Sequence, residues 1–133
     1  MMGQEIRIII AGGRDFSDYV LLEKEVSKII SHLKEKYQNK QVSVVCGDAR
    51  GADTLGSKYA AFNNIHVYHF PAKWNLYGKQ AGPVRNAQMA VFSKEDNNIG
   101  VLIAFWDGLS KGTKSMIELA KEKHLDEIFV IRY

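Results

Sequence analysis

A chain of 133 residues with 46% apolar and 25% charged content is sized for one domain with a substantial buried core. Its formal net charge of +3 is too small to argue for nucleic acid by itself, although basic loops gathered on one edge would still attract phosphates. A single cysteine, Cys46, excludes an intramolecular disulfide and metal sites built from paired cysteines, and no apolar stretch approaches the ~20 residues that cross a bilayer.

Glu5 and Arg7 flank a short apolar run at the amino end, which has no signal-peptide layout. The expectation is a cytoplasmic protein of a bacterial cell or an infected one. Ile6 to Ala11 is nearly all apolar and β-branched, as suits a strand buried on both faces of a parallel sheet. Gly12 and Gly13 let the backbone turn and approach a ligand closely. Tyr19, Leu22, Val26, Ile29, Ile30, Leu33 and Tyr37 then form one stripe at helical spacing within 18–37, with Ser17 or Asp18 as the cap.

Val42 to Cys46 reads as the second strand and Ala52 to Phe62 as the second helix, ended by Asn63 and Asn64. Ile65 to Phe70 is a short third strand bounded by Pro71. An irregular polar and aromatic segment, 72–82, leads to a helix from Pro83 to about Phe92, with Val84, Ala87, Met89, Ala90 and Val91 available for packing. Ile99 to Phe105 is the fourth strand, Thr113 to Lys123 the last helix, and Ile128 to Ile131 the fifth strand.

This alternation predicts an α/β, Rossmann-like three-layer sandwich occupying 1–133 as a single domain. About five parallel strands would run in the order 3-2-1-4-5, with helices on both faces. The topological switch point falls between strands one and four, and ligands of such sheets bind beyond the strands' carboxyl ends.

Four loops share that edge. The first carries Gly12, Gly13, Arg14 and Asp15; the second Gly47, Asp48, Arg50, Gly51 and Asp53. The third carries Lys73, Trp74, Lys79, Gly82, Arg85 and Asn86; the fourth Trp106, Asp107, Gly108, Lys111, Gly112 and Thr113. Glycines leave backbone N–H groups free to face an anion, and helix N-termini add partial positive charge. Arg14, Arg50 and Arg85 can grip phosphate oxygens in bidentate fashion. Asp15, Asp48 and Asp107 can accept from ribose hydroxyls or a base amino group, while Trp74 or Trp106 can stack on a base.

Taken together, the loops predict a ligand with phosphate, sugar and ring. Singly, each residue has a plainer reading. Cys46 is a buried core thiol, Thr113 an N-cap, Asp53 a carboxylate at a helix's positive end, and His66 and His69 structural residues of a strand. No His/Cys cluster stands out, although Asp48, Asp53 and Asp107 could help hold Mg²⁺ through a phosphate.

At these loops the sequence resembles the SLOG superfamily, and more closely its YspA/YpsA-related branch, common in bacteria and their phages. The resemblance is carried by Gly12-Gly13-Arg14-Asp15-Phe16, by Gly47-Asp48-Ala49-Arg50-Gly51-Ala52-Asp53, by Trp74, Gly78-Lys79, Ala81-Gly82-Pro83-Val84-Arg85-Asn86 and Met89, and by Gly112-Thr113. It implies a Rossmann-like fold with a nucleotide-derived ligand at the strand ends, and a homodimer or higher homo-oligomer, for which residues around Val91 and Phe92 could supply an interface, although core packing accounts for them equally well.

Relatives differ in activity. Lonely Guy enzymes hydrolyse the N-glycosidic bond of nucleoside monophosphates, DprA relatives bind single-stranded DNA, and other SLOG domains are proposed sensors of nucleotide signals, including ADP-ribose-type molecules in antiphage defence. Against the hydrolase blocks, Arg85 and Met89 match, Asn86 replaces a lysine, Gly112 and Thr113 match, and Met116 stands where the catalytic glutamate belongs.

Three readings follow. The first is a sensor or sequestering protein for a nucleoside phosphate, cyclic nucleotide or ADP-ribose-type signal. The second is a glycosidase-like hydrolase in which Asp48, Asp53 or Asp107 replaces the lost glutamate, such a carboxylate being expected to stay ionised among glycines and helix N-termini. The third is a single-stranded DNA binder with Lys73, Trp74 and Tyr77 as its stacking platform.

Overall fold

The computed structural model describes residues 4–133. Five parallel strands, β1 (Ile6–Gly12), β2 (Val42–Cys46), β3 (His66–His69), β4 (Ile99–Trp106) and β5 (Glu127–Arg132), form one sheet in the order β3-β2-β1-β4-β5. This is the Rossmann-like topology expected from the alternation of elements. β1 pairs with both β2 and β4, so its carboxyl end lies at the switch point.

Helices cover both faces. Ile6, Ile8 and Ile10 of β1 point to the side occupied by α1 (Tyr19–Lys36) and α2 (Ala52–Phe62), where they meet Leu22, Val26, Ile29, Leu33, Tyr59 and Ala60. Ile9 and Ala11 point to the other side, against Met89, Ala90, Met116, Ile117 and Ala120. Those residues belong to α4 (Ala81–Lys94) and α5 (Lys111–Glu122), which sit on that face. Each fully buried isoleucine contributes roughly 1.5–3 kcal/mol of apolar burial. The near-continuous apolar strands are the sequence's record of a sheet covered on both sides.

Asp18 caps α1, accepting from the Leu21 N–H at 3.0 Å, and Asn64 takes the positive φ of 55° that turns the chain out of α2. Three segments depart from the sequence reading. The irregular stretch contains a short helix, α3 (Trp74–Tyr77), and a 3-10 turn over Gly78–Gln80 before α4 begins at Ala81.

α4 buries Ala81, Arg85, Asn86, Met89, Ala90 and Ser93, whereas Val91 is 48% exposed. Of the expected packing residues Val84, Ala87, Met89, Ala90 and Val91, Met89 and Ala90 are in the core; the helix also turns a charged and an amide side chain inward. α5 starts two residues earlier than its apolar spacing predicts, because Ser110 is the cap and Thr113 lies within the first turn. Among the described residues no helix is long and apolar enough to cross a membrane.

Candidate ligand-binding site

A cleft of about 600 Å³ opens at the carboxyl edge of the sheet. Gly12, Gly13, Arg14 and Asp15 of the first loop line it, with Asp53, Trp74, Arg85, Asn86, Asp107, Lys111, Gly112 and Thr113. Gly47, Asp48 and Arg50 line a smaller cavity of about 330 Å³, which shares Arg14, Ala49, Trp74 and Arg85 with the cleft. Trp74, 50% exposed, therefore stands between the two. Lys73 faces a third, apolar groove beside Phe70, Val84 and Phe92. Gly51, Lys79, Trp106 and Gly108 lie outside both the cleft and the smaller cavity.

The glycines divide by what surrounds them. A methyl group on Gly12 would sit 2.4 Å from the Phe105 carbonyl oxygen, and one on Gly51 would sit 2.2 Å from that of Gly13. Gly51 also has φ +79°, and the Ala52 N–H following it donates to the Gly13 carbonyl at 3.2 Å. The Gly13 N–H is itself donated to Phe105. These glycines serve the close approach of the first two loops and β4, rather than leaving bare N–H groups for an anion. Gly112 is different: a methyl group there meets nothing within 4 Å.

Asp53 and Arg85 form the buried polar core of the site, at 5% and 9% exposure. Arg85 donates through Nη1 to the Gly47 carbonyl and through Nε to Asn86 Oδ1 at 2.9 Å. Asp53 accepts from the Ala49 N–H at 3.3 Å, pinning the second loop to the start of α2. A methyl group on Gly47 would touch both the Arg85 guanidinium, at 2.7 Å, and the Asp53 carboxylate, at 2.8 Å. Only a residue without a side chain lets these two groups share one spot.

Burial pushes the Asp53 carboxyl up to about 6, against the lowering influence of the Ala49 N–H, Arg85 and Arg14. The sequence reading of a normally ionised carboxylate is thereby changed: desolvation outweighs the favourable dipole. Burial likewise holds Arg85 below its ordinary value, opposed by Asp53.

At the fourth loop, Asp107 accepts from the Leu109 and Ser110 N–H groups, each at 2.8 Å, and both bonds hold its carboxyl low. One oxygen is thus committed to shaping the turn. The Ser110 hydroxyl accepts from the Thr113 N–H at 3.3 Å and lies 3.1 Å from the Thr113 hydroxyl. The Trp106 indole N–H donates to the Ser110 carbonyl at 3.1 Å while the Arg132 guanidinium lies over its ring, so Trp106 braces this loop. Arg132 also fills the space beside Gly108, whose φ is +86°. Lys111 and Gly112, at the amino end of α5, both line the cleft.

Sequence reading did not count Ser110, Met89 or Pro83 among the ligand-binding residues, yet all three line the cleft, and Met116 forms part of its wall at 1% exposure. Tyr133 was also missed; its hydroxyl donates to Asp15 at 2.7 Å and its ring packs edge-on against Phe16. Ser110 could have been found from the cap spacing Ser-x-x-Thr. The others depend on long-range packing.

Three further side chains converge where the sequence offered no cluster. Cys46, Asp48 and His69 bring a sulfur, a carboxylate oxygen and a ring nitrogen within 4.8 Å of one another. Asp53 and Asp107 are not part of this group.

A doubly wound parallel sheet with a cleft at its switch point defines a Rossmann-like ligand-binding domain. The model of the YspA, cpYpsA-related SLOG family matches residues 6–77, from β1 to the end of α3, and the chain belongs to that family. Arg85, Asn86 and the α5 terminus lie beyond the matched stretch. No curated protein and no solved structure matches the chain significantly.

Proposed function

We propose that this protein binds a nucleotide-derived small molecule in the 600 Å³ cleft, as a sensor or a sequestering protein. SLOG membership suggests a nucleotide-related ligand. The observation that carries the reading further is the open, cationic amino end of α5. Gly112 has free space before it, Lys111 is beside it, and the buried Arg85 guanidinium also lines the cleft. A phosphate set there would take main-chain donors, the helix dipole and a charge-assisted bond. Trp74 at the rim supplies a face for a base, and Asp15 and Asp107 lie within the same lining for sugar hydroxyls.

Binding without turnover is favoured by Met116. Where Lonely Guy hydrolases carry a glutamate, a thioether forms the wall beside Met89, and Glu118 is exposed on α5. Methionine can neither transfer a proton nor stabilise an oxocarbenium ion by charge. A second reading rests on Asp53, whose carboxyl lies in the cleft with its proton affinity raised to about 6, suiting a general acid or base near neutral pH.

Mass spectrometry separates the two. The purified protein is incubated with AMP, cyclic nucleotides, NAD, ADP-ribose and its cyclic isomers, and the supernatant and heat-released fractions are analysed. A compound depleted from solution and recovered intact on heating is the expected outcome. Recovery as base plus sugar phosphate would transfer the assignment to the hydrolase, and no depletion of any member would remove the nucleotide reading.

A further inference from the structure

A second constellation lies outside the cleft, at the carboxyl ends of β2 and β3. Cys46 and His69 are register partners on adjacent parallel strands, so their side chains leave the same face of the sheet side by side. Two residues past Cys46, Asp48 takes a positive φ of 59°, which turns the loop back on the strand end. Its Oδ1 accepts from the Cys46 thiol at 3.3 Å and lies 2.7 Å from His69 Nδ1. None of the three residues lines the 600 Å³ cleft, and the nucleotide reading uses neither Cys46 nor His69.

We propose that Cys46, Asp48 and His69 form a site for a borderline-soft divalent cation, zinc being the best match. Thiolate, imidazole and carboxylate together form a zinc-type donor set, whereas magnesium and calcium take oxygen donors. Tetrahedral zinc, with bonds of ~2.3 Å to sulfur and ~2.0–2.1 Å to nitrogen and oxygen, separates nitrogen from oxygen by about 3.3–3.4 Å and sulfur from either by about 3.5–3.6 Å. The thiol–carboxylate spacing of 3.3 Å needs to open by about 0.2 Å and the imidazole–carboxylate spacing of 2.7 Å by about 0.6 Å, while the thiol and the imidazole nitrogen lie within 4.8 Å of each other.

That movement is available, because the His69 and Asp48 side chains are 55% and 33% exposed. Cys46 is buried and serves as the fixed anchor. The thiol proton passes by way of the partly exposed Asp48 carboxylate, which it already faces, to solvent as the sulfur–metal bond forms. Three protein donors leave a fourth position for water or an exogenous ligand. Asp48 also lines the 330 Å³ cavity with Arg14 and Arg50, so an anionic ligand on the metal would be met by both guanidinium groups.

The test is titration of the full chain with Co²⁺ and then Zn²⁺ in a non-thiol reductant. The expected result is one equivalent of Co²⁺ giving a thiolate-to-cobalt charge-transfer band that Zn²⁺ bleaches. Zinc should also raise the unfolding temperature of the unsubstituted protein. In His69→Gln, an exposed substitution, the band should fall sharply and zinc should bind at least about tenfold more weakly. In Cys46→Ser the band should vanish.

If Cys46→Ser fails to fold, His69→Gln and Asp48→Asn still decide the matter. Zinc bound without a thiolate band would mark other surface histidines and overturn the proposal. So would a band unchanged in His69→Gln, or no metal bound at all.

Discussion

The arginines of the cleft have unequal surroundings, and that inequality separates binding from folding. Arg14 is exposed, so Arg14→Ala should shift stability by no more than about 0.5 kcal/mol. Arg85 is 9% exposed and holds the Gly47 carbonyl, so Arg85→Ala strips a partner from that carbonyl, from Asn86 and from the neighbouring Asp53. Both substitutions should weaken ligand binding, with each lost charge-assisted contact costing about 1.5–3 kcal/mol. Only Arg85→Ala should also lower the denaturant midpoint. Isothermal titration beside urea unfolding reads both quantities, and tight binding retained in both variants would dismiss this site.

Asp53 supplies a second test at this scale. Its carboxyl stands at about 6 in the folded chain against an ordinary value of 3.8. A raised carboxyl means the folded state holds the proton more tightly. The stabilisation is complete below about pH 4 and is lost as pH climbs to about 6, because the unfolded chain ionises first. The expected loss is of order 3 kcal/mol across that window. Unfolding of Asp53→Asn across the same range should lack this component, and the difference between the two curves isolates it from the other carboxyls. Parallel curves would show that Asp53 does not titrate there.

Among the elements, α5 offers the sharpest separation between architecture and ligand. Gly12 and Gly51 are forced by backbone within 2.4 Å of where a side chain would begin, whereas Gly112 has open space before it. Replacing glycine by alanine within a helix stabilises by roughly 0.5–1 kcal/mol when nothing is displaced. Gly112→Ala should therefore raise the unfolding midpoint and yet weaken ligand binding, because its methyl group enters the space assigned to a phosphate. Gly51→Ala should instead destabilise strongly, through both its positive φ and the Gly13 carbonyl. If Gly112→Ala binds undiminished, the phosphate does not sit at α5.

The sequence disclosed α5 only in part. Its apolar spacing put the helix start at Thr113, but Ser110 outcompetes Thr113 as the cap because Asp107 has already bent the loop and presented it. α4 was legible in outline and in its buried Met89 and Ala90, but not in the rest of its inward face. Periodicity assumes that apolar residues face inward, and the burial of Arg85 and Asn86 reverses that rule where a helix must offer polar groups to a cleft. Cys46 beside His69 was invisible for another reason: register between strands is a property of the pair, and neither strand encodes it alone.

At the scale of the whole molecule, topology was the most legible feature. Strictly alternating apolar strands and amphipathic helices leave few right-handed arrangements, and the observed order β3-β2-β1-β4-β5 is the economical one. That order also gathers the cleft from both layers. Asp53 comes from α2 on one face, Arg85 and Gly112 from α4 and α5 on the other, and the first loop lies between them. A ligand seated there touches elements from both faces of the sheet at once.

Binding should therefore stabilise the whole cooperative unit rather than one loop. At a ligand concentration about a hundred times its dissociation constant, the gain is ~2.7 kcal/mol. For a chain of this size that corresponds to a rise of roughly 10 °C in the unfolding midpoint. The compound recovered intact from the incubation panel should produce this shift as one displaced transition, by calorimetry or by tryptophan fluorescence. Arg14→Ala should reduce the shift while starting from the same midpoint, and Gly112→Ala should start higher and shift less. A shift of equal size in all three proteins would place the ligand elsewhere on the molecule. A transition that splits in two on binding would show that the ligand engages one layer alone.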